Sequence, residues 1–429
     1  MIEEVPPTIE DLEIPINPDK DGYTAYAVKA ESALFKLQST TPSAISLDDS
    51  ILLQLSFFTS SDSPWATPSA SLIARALLSS LTPERTAHLI VDTILQGHLR
   101  PIFSQATKKV TSSGRPKIYQ EEGIGADRAR WEEPEWKKRA ATAVSTFAWA
   151  VEASESDTIK SNWPLFTPVL LALLEDRETS VRKSGLKILI NFLPKCPGTV
   201  LIDTGIGTVF QEAVFPTLLY LPSLTPEAES VALLRPAYEA LLILAKMEHE
   251  PQAESRRKQL DKLLRDGVFA AYHHASDYIH IVEVLMDATA EIINALSIYS
   301  AKHLQSITSI ISSVMTDPFA AAHGPAILAA CKALNSCVRE CWPRMTEERS
   351  DEVMRIIIMC WLNIHAAKTG PRLADDLQDS IASELKHTSE MLYAINKARN
   401  LSTPPELLEI IEKERQLKSL FPYADPQAS

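Results

Sequence analysis

The chain is poor in glycine, with 12 in 429 residues, and it has no run approaching the roughly 18 apolar residues of a membrane span. The opening "MIEEVPPTIEDLEIPINPDKDG" lacks both the basic start and the apolar stretch of a secretory signal. Its five cysteines (Cys196, Cys331, Cys337, Cys341, Cys360) contain no CxxC pair. An odd number of such residues suits reduced thiols, and hence a cytosolic or nuclear setting, better than a secreted disulfide framework. Cys331, Cys337 and Cys341 follow one another at helical spacing and read as small apolar core residues, not as metal ligands. Positive charge is also in deficit, with 42 lysines and arginines against 55 acidic residues and a net charge of −13. A field of that sign repels phosphate backbones and anionic lipid heads, so neither nucleic acid nor membrane is an expected partner.

Reaction chemistry is missing too. There is no GxSxG elbow, P-loop or HExxH, and "DTGIGTVF" at 203–210 lacks the strand and third glycine of a dinucleotide loop. In "YHHASDYIH", His274, Asp277 and His280 stand at three-residue intervals, but no fourth ligand has suitable spacing, and the group reads as helix-junction polarity. The pairs Asp48-Asp49 and Asp375-Asp376 lie at expected helix starts, where negative charge complements the dipole, so they are not read as a general acid and base. No cofactor, metal or catalytic residue is expected.

What is present is helical periodicity. Residues 1–22 are proline-rich and acidic and read as a mobile arm, with order expected from about Tyr23. Beyond it, apolar residues recur every three or four positions, as at Tyr26, Ala30, Ala33, Leu34 and Leu37, with almost no strand-like alternation. Thr67-Pro68, Thr82-Pro83, Thr167-Pro168, Thr225-Pro226 and Thr403-Pro404 are expected helix starts. Threonine caps the free amides of a first turn, and proline after it gives up an amide that the helix does not use. Thr403 and Glu406 have the spacing of a capping box.

The segments repeat. First helices are expected near Pro164, Thr208, Glu254, Ala301 and Thr346, at intervals of about 45 residues, the length of a HEAT-type hairpin. In "WPLFTPVLLALLEDRETSVRKSGLKILINFLPKCP" a leucine-rich helix closes at Asp176 and Val181-Arg182 opens the next; Asp176 and Arg182 are the expected structural anchors of the repeat. Each hairpin exposes an apolar face that only its neighbour can cover, so the expected fold is an all-α HEAT-like solenoid. The expected divisions are an arm (1–22), an N-terminal helical region (23–107), a polar insertion (108–139), HEAT-like repeats (140–420) and a tail (421–429).

Two regions depart from plain scaffold. The insertion "KKVTSSGRPKIYQEEGIGADRARWEEPEWKKRA" sets basic residues beside Trp131 and Trp136 but interrupts them with glutamates, and reads as a docking or bracing loop. In "DEVMRIIIMCWLNIHAAK", seven consecutive apolar residues from Ile356 to Leu362 occupy every helix face. One stripe, Val353, Ile357, Cys360 and Ile364, serves the internal core. The adjacent stripe, Met354, Ile358, Trp361 and His365, needs a second surface, either a neighbouring repeat or a bound partner, and is the expected partner-binding site.

"GRPKIY", "EWKKR", "LLEDRETSVRKSGLKIL" and above all "GIGTVFQEAVFPTLLYLPSLTPEAESVALLRPAYEAL" at 205–241 resemble the Tel-two-interacting protein two family, most densely over 114–246. The resemblance implies a non-enzymatic scaffold subunit of the triple-T (TTT) complex. Its expected partners are Tel-two-interacting protein one, directly, and Tel-two in the same complex. Through that complex, and with the heat-shock-protein-ninety system, it implies a part in maturing phosphatidylinositol-kinase-like protein kinases (PIKKs), and hence in telomere maintenance and the DNA damage response, in cytoplasm and nucleus. The rival reading is an acidic HEAT-repeat nuclear transport adaptor, although the tryptophan-asparagine arrays of that class are not repeated in this sequence.

Overall fold

The computed structural model describes residues 12–15, 20–40, 47–103, 140–248, 250, 253–366, 373–400, 409–411 and 413–421. Every regular element among them is helical. The insertion at 108–139 and the Thr403–Glu406 capping box lie outside the described residues. The chain forms two compact units, Met1–Val214 and Phe215–Ser429.

The first unit runs through α1 (Lys20–Thr40), α2 (Asp49–Phe57), α3 (Pro68–Ser79) and α4 (Pro83–His88), which continues through a π-helical stretch, Leu89–Leu99, into α5 (Arg100–Phe103). It goes on through α6 (Ala140–Ala153), α7 (Ser156–Leu174), α8 (Thr179–Phe192), α9 (Gly198–Thr204) and α10 (Ile206–Val214). Two threonine-proline starts are as expected: Thr67 Oγ1 accepts from the amide of Ala70 and Thr82 Oγ1 from that of Arg85. Thr167-Pro168 is not a start. Both residues lie inside α7, which begins at Ser156 and also encloses Pro164. Thr167 is buried and donates its hydroxyl to the Trp163 carbonyl at 2.9 Å, so tertiary packing overrides the local signal here. Order also begins earlier than expected. Helix α1 starts at Lys20, and Leu12 is buried at 2% exposure, so residues 12–15 belong to the packed unit and not to the arm.

A column of phenylalanines joins α6, α7, α8 and α10: Phe147, Phe166, Phe192 and Phe210 lie with successive ring centroids 6.1, 5.8 and 6.2 Å apart. All four rings are essentially inaccessible to solvent, which is the burial that makes stacked hairpins cohere. Helices α7 and α8 approach closely at Gly185, where a Cβ would stand 2.8 Å from that of Leu173.

The second unit opens with a 3-10 turn, Phe215–Leu219, followed by α11 (Glu227–Glu248), which starts directly after Thr225-Pro226. Then come α12 (Glu254–Lys262), a π-helical stretch Leu263–Phe269, α13 (Ala270–Ala275), α14 (Ile279–Leu296), α15 (Leu304–Met315), α16 (Gly324–Cys341), α17 (Glu347–Ala366) and α18 (Asp375–Ala398). First helices here begin at Glu254, Leu304 and Glu347, within three residues of the expected starts. Second helices α11, α14, α16 and α18 pack in sequence as one layer, and α15 packs on α17 in another. This is the stacking that the 45-residue period demands.

Candidate functional site: the helical surface

The expected anchors make the turn between α7 and α8. Asp176 Oδ1 accepts the amide of Glu178 at 2.8 Å, and Arg182 Nε donates to the Asp176 carbonyl at 2.9 Å. Asp176 and Arg182 are 8% and 6% exposed, so the side chains meet the turn and not solvent. Their order in the sequence follows from this: the aspartate closes an Asx-type turn, and the arginine one helical turn later reaches back to its carbonyl.

The stripe on α17 is placed differently from the expectation of a surface awaiting a partner. Met354, Ile358 and Trp361 are 8%, 9% and 3% exposed, and His365 is half-buried. Trp361 Nε1 donates to the Gln416 carbonyl at 3.1 Å, and its ring stacks on the His365 imidazole with centroids 4.4 Å apart. His365 Nδ1 bonds the Trp361 carbonyl at 2.8 Å, and the Lys386 ammonium of α18 lies 5.7 Å from the indole centroid. The second surface is therefore the chain's own C-terminal 3-10 segment, Arg415–Ser419, together with α18. Met359, 45% exposed, is the large apolar residue that this helix turns outward.

The tempting chemical groups disperse. His280 bonds Glu227 through Nδ1 at 2.9 Å, while His274 rests against His273, and Asp277 is exposed in the preceding turn. Among the described residues no three histidine, cysteine, aspartate or glutamate side chains are placed to hold a metal. Asp48 occupies the N-cap of α2, with Asp49 in its first turn, and Asp375 and Asp376 open α18, so both acidic pairs stand at helix starts. All five cysteines are free and buried. Burial pushes the Cys196 thiol up to about 12. The Cys331 thiol is raised by its hydrogen bond with Cys360 and by burial. In the Cys337–Cys341 pair, Cys337 is raised, while hydrogen bonds from Cys337 and Ser300 hold Cys341 below the ordinary thiol range. A thiolate works as a nucleophile only where reagents reach it, and Cys341 has no exposed surface. Burial also lowers the Lys195 ammonium, which donates to the Val151 and Glu152 carbonyls at 2.9 and 2.5 Å.

A groove of about 870 Å³ in the first unit is lined by α2, α6, α8 and residues 13–15. Two of its serines bond each other, Ser63 Oγ to Ser145 Oγ at 2.9 Å. No single described helix is long and apolar enough to cross a membrane.

One polar network joins three hairpins of the second unit. Glu227 at the start of α11 bonds His280 at the start of α14, and the His280 ring lies 4.6 Å from that of His323, just before α16. His323 Nε2 bonds Glu283 at 2.8 Å, Arg235 Nη2 donates to Glu283 at 2.9 Å, and Arg235 Nη1 donates to Asp287 at 3.0 Å. Burial alone would raise the Glu283 carboxyl, but the hydrogen bonds from His323 and Arg235 outweigh it, and the net shift is downward. A second pair does the same between α12 and the α14–α15 turn: Asp261 accepts from Lys302 at 2.6 Å and bonds His303 at 2.5 Å, which outweighs burial and lowers its carboxyl. Sequence reasoning grouped His280 with its near neighbours instead. The available signal was long-range, since Arg235, His280 and His323 recur at roughly one-repeat spacing.

A family model described as the Tti2 family matches residues 51–322, more than half of the chain. No curated protein and no solved structure matches it.

Proposed function

The chain belongs to the Tti2 family, and from that premise we propose that it is a scaffold subunit of the TTT complex. In this reading it binds Tel-two-interacting protein one directly and shares the complex with Tel-two. With the heat-shock-protein-ninety chaperone system, the complex supports the maturation, stability and assembly of PIKKs in cytoplasm and nucleus. The family match over 51–322 is the observation that carries the proposal. The architecture supports it: stacked hairpins give a protein extended surfaces at a small cost in sequence constraint, and such arrays serve as binding platforms. The buried thiols and histidines paired to carboxylates are in keeping with a subunit that acts by holding other proteins.

The test is affinity purification of the tagged full chain from its own cells, read by mass spectrometry, with PIKK levels followed after depletion. Co-purification of Tel-two and Tel-two-interacting protein one in near-stoichiometric amounts, with a fall in PIKK abundance on depletion, is expected. Recovery of transport receptors and basic cargo in their place would overturn the proposal.

A further inference from the structure

Hydrogen bonding of Glu227 to His280, and the contact of His280 with His323, bring the starts of α11, α14 and α16 to one edge of the second unit. The turns leading into these helices, 220–226, 276–278 and 316–323, therefore lie side by side. Each turn exposes one large apolar residue: Leu224 at 92%, Tyr278 at 37% and Phe319 at 83%. Each also carries an acidic residue nearby in the turn or at the helix start: Asp277 and Asp317, both exposed, and Glu227, half-buried and bonded to His280.

The opposite edge is different. It too exposes apolar side chains, Ile298 at 40%, Tyr299 at 44% and Trp342 at 55%, but there the charge beside the aromatic residues is basic: the Arg257 guanidinium lies 4.3 Å over the Tyr299 ring, and Arg399 donates to the Trp342 backbone carbonyl at 2.9 Å.

We propose that Leu224, Tyr278 and Phe319, with Glu227, Asp277 and Asp317, form a docking edge for a basic amphipathic helix of a partner protein. The proposal rests on the scaffold reading above and names where one partner sits. Charge complementarity selects the occupant: an acidic residue beside every apolar tip, in a chain of net charge −13, favours lysines or arginines flanking the apolar positions of the ligand. Repeat spacing selects its form. Packed helices lie about 8–10 Å apart, so successive tips step by roughly that distance. At 1.5 Å per residue that step is about five to seven residues of a helix crossing the turns, and at the seven-residue end of this range its apolar contacts fall on one face.

The edge is tested with the purified full chain and a labelled helical peptide carrying leucines about seven residues apart, flanked by lysines, followed by fluorescence anisotropy. Leu224→Ser with Phe319→Ser is expected to weaken binding at least tenfold. Asp277→Asn with Asp317→Asn should weaken it and flatten its salt dependence, while Trp342→Ser on the other edge leaves it unchanged. Both tips and both carboxylates are exposed, so these variants should keep the wild-type melting temperature. Absence of peptide binding, or binding indifferent to the Leu224/Phe319 pair, overturns the proposal, as does equal loss with Trp342→Ser. The tagged Leu224→Ser, Phe319→Ser chain separates this idea from the scaffold reading. If the wild type recovers its complex and the variant recovers the same complex in full, the docking edge fails and the scaffold reading stands. If the wild type recovers none, the scaffold reading fails.

Discussion

The indole of Trp361 donates its N–H to the backbone carbonyl of Gln416 at 3.1 Å, tying α17 to a segment 55 residues further along the chain. This bond and the stacked His365 ring account for the side of α17 that repeat stacking leaves over. Trp361→Ala should remove a 3%-exposed indole and leave a cavity, lowering the stability of the second unit by about 3–5 kcal/mol. Met359→Ser, on the outward face, should cost less than about 0.5 kcal/mol. Urea denaturation of both variants checks this. A Trp361→Ala loss below about 1 kcal/mol would show that the segment around Gln416 does not cover the helix.

Gly185 tests the approach of α7 and α8. Alanine is the better helix former by about 1 kcal/mol, so an open site would gain from Gly185→Ala. Here the new methyl meets Leu173 Cβ at 2.8 Å and the Leu173 carbonyl carbon at 3.0 Å, and a backbone cannot swing aside as a side-chain tip can. The variant should be destabilised by about 1–3 kcal/mol. A rise in melting temperature would contradict the packing.

Acid should loosen the second unit through Asp261 and Glu283. Both carboxyls are held below their ordinary range in the folded state. A depressed folded-state pKa means stability that is fully present above the unfolded value, about 3.9 for aspartate and 4.3 for glutamate, and lost as pH falls through the folded one. The wild type should therefore lose stability progressively from about pH 5 downward. Asp261→Asn with Glu283→Gln should be less stable at pH 7 and show a flatter acid limb. Parallel acid limbs in thermal melts of the two proteins would refute the assignment.

All five thiols should be slow to react. With every cysteine buried and the Cys196 and Cys331 thiols raised, a thiol-specific chromogenic reagent should label less than about one site per folded chain on the minute scale. It should label all five at once in guanidinium. Rapid labelling of native Cys341, whose thiol is lowered, would reveal access that its burial denies.

The hairpin repeat was legible because an amphipathic helix writes its buried face into its own sequence at 3.6-residue spacing, and turns are local chemistry. Asp176 and Arg182 could be read for the same reason: both act within one turn. So could the helix starts at Thr67 and Thr82, where cap and first turn are adjacent. Thr167-Pro168 carries the same local signal and lies inside α7, because the burial of Phe166, Val169 and Leu170 holds the helix through both prolines.

By itself the sequence determined that α17 has two apolar stripes and that both must be covered, since the cost of exposing apolar surface depends only on the residues present. It also determined the repeat length, the acidic balance and the resemblance to one family. Only the tertiary structure decided that Arg415–Ser419 and α18 cover the second stripe, that His280 meets Glu227 and His323 in place of His274, and that Leu224 and Phe319 face outward on one edge. The hydrophobic effect is non-directional: periodicity states that a face is to be buried, and the stacking of helices about 45 residues apart selects what buries it.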